Sequence, residues 1–160
     1  MIIRAFLICL CSGMLLNSSA HTAQENPIKW SLAVRSTAYK AGDKFAARLT
    51  AQIAEGWHLY ALEEVPNGPR PTRITLVTEQ PFKLSGDIAQ PKSISKFDEN
   101  FGVETQFYEA AVVFALPIQI ASKAKPGKTK LVVQTRYQVC NEQMCLPPKT
   151  VMVEAVVAIK

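Results

Sequence analysis

Apolar and polar residues alternate along this chain with a period of two. Ile28 to Val34, Phe45 to Ile53, Ile74 to Val77 and Lys130 to Tyr137 all carry the pattern, and Thr150 to Ile159 repeats it through Val151, Val153 and Val157. That repeat marks an extended strand with one face buried, because successive side chains on a strand point to opposite faces, whereas a helical face returns about every 3.6 residues. No long amphipathic helix is written in the sequence. Phe107 to Ile120 is richer in apolar, β-branched and aromatic residues, which predicts a central strand whose regular course Pro117 should limit. Turn chemistry separates the runs at Ala41-Gly42-Asp43, Pro66-Asn67-Gly68-Pro69, Ser85-Gly86-Asp87 and Pro126-Gly127. About seven to nine short strands punctuated in this way predict an all-β fold, an immunoglobulin-like antiparallel β-sandwich.

The amino-terminal segment follows different rules. Arg4 is the one charge ahead of the apolar stretch Ala5 to Leu16, and the small residues of Asn17-Ser18-Ser19-Ala20 follow it. This pattern predicts an export signal, residues 1–20, cleaved after Ala20, with residues 21–160 forming a single domain. The apolar run is shorter than the roughly 20 residues that cross a bilayer, so no stable membrane insertion is expected after cleavage. Cys9 and Cys11 each follow a bulky residue, Ile8 and Leu10, where lipidation wants a small one, so both leave with the signal. The formal net charge of +5 has no nucleic-acid pattern. Its one basic cluster, Lys123, Lys125, Lys128 and Lys130, flanks the turn Pro126-Gly127 instead of interleaving with aromatics, which argues against a nucleic-acid partner.

Two cysteines then remain, Cys140 and Cys145, in the run Tyr137-Gln138-Val139-Cys140-Asn141-Glu142-Gln143-Met144-Cys145-Leu146-Pro147-Pro148. A bridge closing about six residues gains only roughly 2 kcal/mol of loop entropy, against about 4.7 for a loop of about 100, so stability alone is a weak reason for the pair. Cysteines on adjacent antiparallel strands have α-carbons about 5.5 Å apart, within disulfide reach, so a reversible bridge across a hairpin mouth is feasible. Exchange needs two sulfurs in reach of each other and one open to a partner. In an exported domain a plain structural disulfide is the commoner use of two cysteines, and spacing alone does not overturn it.

The neighbouring residues carry more information. Tyr137-Gln138-Val139-Cys140, followed by Cys145-Leu146-Pro147-Pro148-Lys149-Thr150, resembles the active-site hairpin of the N-terminal periplasmic domain of DsbD, a bacterial thiol-disulfide reductase that moves electrons across the inner membrane. Gly56-Trp57-His58-Leu59-Tyr60 resembles that family's Gly-aromatic-aromatic-Leu-Tyr strand, and Lys96-Phe97-Asp98-Glu99-Asn100-Phe101-Gly102 resembles its acidic-aromatic-Gly cap loop. The order of the three blocks agrees too, and the likeness covers the chain from about Ile28 onward.

The resemblance implies an immunoglobulin-like domain in the periplasm that needs no cofactor. It would take electrons from a membrane-embedded donor and pass them to thioredoxin-fold oxidoreductases, including disulfide isomerases and proteins of cytochrome c maturation. By position it makes Cys145 the interchange sulfur and Cys140 the resolving one. It also implies that an aromatic ring of the cap shields the sulfurs; Phe101 is the best match, although a strict residue count puts Asn100 there. Tyr60 and His58, two apart on one strand, would share a face and line the site floor with Tyr137 nearby. Asp98 and Glu99 would flank the sulfurs and hold the thiols less reactive until a partner docks, a role Glu142 could share.

Three departures stand against this pattern. His58 occupies a place where the family usually has an aromatic hydroxyl, where it could act as an alternative donor or tune thiolate formation. The cysteine spacing is one residue shorter than in the best-known members. The likeness ends where the family's membrane channel and thioredoxin-like domain would follow, so the donor is expected in trans. Two rival readings remain, a binding module with a permanent bridge and a copper(I) carrier using Cys140, Cys145, Met144 and His58. A zinc site is poorly supported, because His21 and His58 have unsuitable spacing. Trp30 and Trp57 are expected in the core or sheets. No phosphate-binding loop or nucleophile elbow is present.

Overall fold

The computed structural model describes residues 26–36 and 38–160. The predicted signal, with Cys9 and Cys11, and His21 lie outside the described residues.

Twelve strands arrange into three hydrogen-bonded sheets among the described residues. The first is ordered β1 (Ile28–Val34), β3 (Lys44–Ile53), β9 (Ala111–Ile120), β6 (Phe82–Leu84). The second is ordered β2 (Ala38–Tyr39), β12 (Lys149–Ile159), β10 (Gly127–Tyr137), β5 (Arg73–Leu76). All pairings are antiparallel except the short β2–β12 contact. The inward positions of the alternating runs meet in one core: Leu49, Phe114, Leu116 and Ile118 from the first sheet, with Leu131, Val133 and Val157 from the second. The result is the all-β, immunoglobulin-like sandwich that the alternation implied.

A third sheet, β11 (Val139–Cys140), β4 (His58–Tyr60), β8 (Val103–Tyr108), β7 (Ile94–Asp98), grows from the end of the other two. Only Gln138 separates β10 from β11, and only Glu109-Ala110 separates β8 from β9. Two strands of the packed sandwich therefore run directly into the sheet that carries the cysteines, which ties that sheet to rigid supports.

Two details differ from the sequence reading. Phe107 to Ile120 is not one strand: the chain turns at Ala110, which has φ of +59°, so β8 and β9 join different sheets. Pro117 does not limit its strand. It lies inside β9, paired with Ala46 of β3, and the strand continues to Ile120. Its carbonyl accepts from Ser85 N on the opposite side, so its nitrogen also faces the gap after β6 ends at Leu84, and no bond to β3 is forfeited.

Candidate functional site

Cys140 and Cys145 form a disulfide. Asn141 N donates to Met144 O, and Leu146 N donates to Val139 O, so hydrogen-bonded pairs flank the two cysteines on both sides. The cysteines therefore occupy the non-hydrogen-bonded position of a tight hairpin, where α-carbons sit near 4.5 Å instead of 5.5 Å. Their actual separation is 4.0 Å, and both sulfurs point to one face. Asn141 Oδ1 accepts from the amides of Gln143 and Met144 and holds the loop closed.

The strand register assembles the rest. Cys140 lies opposite His58, Tyr60 opposite Phe107, and Val103 opposite Asp98. Because side chains alternate, this register puts Cys140, His58, Tyr60, Phe107 and Asp98 on one face of the third sheet. Tyr60, Phe107 and Cys140 form a small buried cluster separate from the main core, with Phe101 and Cys145 packed against it. The two sulfurs are unequal: Cys140 is 0% exposed, while Cys145 is half-buried.

The cap is the tip of the β7–β8 hairpin. Asp98 closes its base, with its carbonyl accepting from Phe101 N and Gly102 N and its Oδ1 from Asn100 N. Gly102 has φ of +69°, a left-handed conformation that glycine adopts without steric cost. The turn directs Phe101 onto the cysteine cluster, edge-on to Tyr60 with ring centroids 6.1 Å apart. Asn100, the alternative by residue count, is exposed, as is Glu99.

Below the cap, Tyr60 Oη donates to Asp98 Oδ2 at 2.6 Å, and His58 Nε2 lies 3.2 Å from Tyr60 Oη. Burial, then the bond to and charge of Asp98, push the Tyr60 phenol well above its usual value, so it stays a donor. Burial also lowers His58 from 6.5, against the opposing pull of Asp98 and Glu109. A groove beside the disulfide is lined by His58, Asp98, Phe107 and the loop residues Asn141, Glu142 and Gln143.

Tyr137 is placed elsewhere. It is buried in the main core, its hydroxyl bonded to Asn26 and its ring 5.4 Å from Trp30. Trp57 packs against that core as well. Among the described residues, no three or more His, Cys, Asp or Glu side chains gather into a metal-holding group. Phe107 joins the site beyond the residues the sequence points to; its signal is its place in the Val103, Thr105, Phe107 alternation of β8, which the apolar run into β9 obscures.

Comparison with known proteins agrees with this fold. No curated protein matches the sequence. The N-terminal domain of DsbD from Neisseria meningitidis, crystallised in the reduced form, superposes with a TM-score of 0.55 at 20% identity, covering 82% of this chain and 86% of that one. The N-terminal periplasmic domain of ScsB from Proteus mirabilis superposes with a TM-score of 0.52 at 18% identity, covering 77% of this chain and 43% of that one. These two likenesses establish the fold. The family model for the N-terminal domain of the thiol:disulfide interchange protein DsbD matches residues 24–156, and the chain therefore belongs to that family.

Proposed function

We propose that the chain is a periplasmic thiol-disulfide exchange relay that passes electron pairs through a reversible Cys140–Cys145 bond. The inequality of the two sulfurs carries this reading: one is sealed and the other half-buried, beside a small cluster on which the Phe101 ring of the hairpin tip also packs. A partner thiolate reaches Cys145 Sγ once the ring moves, a mixed disulfide forms, and Cys140 leaves as a thiolate. The partner's second thiol then releases the reduced domain. In the donating direction Cys145 attacks an acceptor disulfide and Cys140 resolves the intermediate. The donor is a membrane-embedded dithiol protein and the acceptors are thioredoxin-fold oxidoreductases, by analogy with the family. A permanent structural bridge would have no need for this inequality between its two sulfurs.

A Cys140→Ala variant tests the assignment when mixed with a single-cysteine thioredoxin-fold protein activated as its thionitrobenzoate disulfide. The expected product is a stable mixed disulfide through Cys145; no adduct at all would sink the relay. The cap has its own test. An edge-to-face aromatic pair contributes about 0.5–1.5 kcal/mol, so Phe101→Ala should speed reduction by dithiothreitol by up to about 10-fold. An unchanged rate would mean that Phe101 does not gate the sulfurs.

A further inference from the structure

His58 faces Cys140 directly across the β4–β11 ladder. Side chains in that relation share a face, with Cβ atoms about 4.5–5.5 Å apart. The imidazole also packs on Phe107, at 4.7 Å between centroids, and on Tyr60, at 5.1 Å, the two rings that enclose Cys140. Tyr60 has one hydroxyl proton and gives it to Asp98, because a carboxylate only accepts. His58 Nε2 must therefore carry a hydrogen and donate to Tyr60 Oη. The chain Nε2–H to Tyr60 to Asp98 fixes the tautomer and the ring, and leaves Nδ1 to gain and lose a proton.

We propose that His58 is the acid–base group of the exchange reaction, supplying the proton that Cys140 takes when the Cys140–Cys145 bond opens. This deepens the relay reading and rests on it. The partner thiolate forms a bond to Cys145 Sγ, and the electron pair of the broken S–S bond stays on Cys140 Sγ. His58 Nδ1–H passes its proton to that sulfur and is reprotonated from water through the groove that His58 lines. The partner's second thiolate then attacks its own sulfur in the mixed disulfide, and Cys145 leaves and is protonated by solvent. The partner dithiol loses two electrons and becomes a disulfide; the domain gains two electrons and two protons.

The charged surroundings of His58 come from several elements. Asp98 and Lys96 approach from β7 and Glu109 from the β8–β9 corner, while Glu55, Glu99 and Glu142 line the same groove. A thiolate with a lower pKa leaves faster, and a positive charge about 5 Å away at an effective dielectric of about 20 moves that pKa by about two units, which is about 10-fold in exchange rate.

The test is the rate of reduction of the full chain by dithiothreitol between pH 5.5 and 8, corrected for the reagent's own thiolate fraction. The wild type should speed up by about 10-fold as pH falls through an inflection below 6.5. That inflection should match the midpoint of the His58 imidazole measured by NMR, a comparison that needs no variant. His58→Gln keeps a donor for Tyr60 and should flatten the profile. A flat wild-type profile, a mismatch with the NMR midpoint, or an inflection that survives in His58→Gln overturns the role of His58. A disulfide that no thiol reduces at any of these pH values overturns the relay itself.

Discussion

Replacing Cys145 with alanine is expected to abolish exchange, lowering the rate with an activated thioredoxin-fold disulfide on the order of 1,000-fold or more, the scale of losing a covalent nucleophile. The remaining thiol, Cys140, sits at 0% exposure beneath Tyr60 and Phe107, so it cannot replace the missing attack. Cys140→Ala is expected to behave differently, because the half-buried Cys145 still attacks and only the release step is lost. Stopped-flow release of thionitrobenzoate from the two variants measures this contrast. Equal rates would show that the two sulfurs are equivalent and that burial does not assign their roles.

The second large effect concerns stability. Phe114 on β9 is fully buried, with Trp30 stacked at 6.3 Å and Tyr108 edge-on at 6.0 Å. Truncating such a ring leaves a cavity that surrounding strands fill only in part, so Phe114→Ala should cost about 3–5 kcal/mol. For a domain of this size that loss lowers Tm by roughly 10 °C or more. Because Phe114 belongs to the main core and not to the cysteine cluster, exchange per folded molecule should stay unchanged. Thermal unfolding followed by circular dichroism, with exchange assayed well below Tm, separates the two. A large loss of exchange in the folded variant would mean that the third sheet depends on the sandwich core more closely than their separate clusters indicate.

Much of the fold was legible because burial on one face of a strand forces a period of two, and β1, β3, β10 and β12 follow it over long runs. The short strands β2, β6 and β11 carry two or three residues each, too few to show any period. Pro117 misled because a proline's effect depends on which neighbour its nitrogen faces, a tertiary property; here it faces the gap beside Ser85. Likewise the turn at Ala110 is invisible in an apolar run, since alanine rarely adopts positive φ.

At the site, the strand pattern made a hairpin bridge of Cys140 and Cys145 feasible and the family resemblance implied it, while the shared face of His58 and Tyr60 followed from their offset of two. What spacing could not give was the cross-strand register. Asp98 meets Tyr60 only because β7, β8 and β4 are aligned residue by residue, and Phe107 completes the cluster by the same alignment. Tyr137 lies close to Cys140 in sequence, yet the alternation at Gln138 and Val139 turns it toward Asn26 and Trp30.

The central claim, that the Cys140–Cys145 bond opens and closes as part of the protein's work, is tested most directly by its equilibrium potential. The chain is equilibrated with glutathione buffers of graded potential and the free thiols are then alkylated and weighed by mass spectrometry. A relay predicts a two-electron transition above about −300 mV, within reach of periplasmic dithiol partners. A bond that stays oxidised well below about −300 mV would be a structural bridge and would contradict the account.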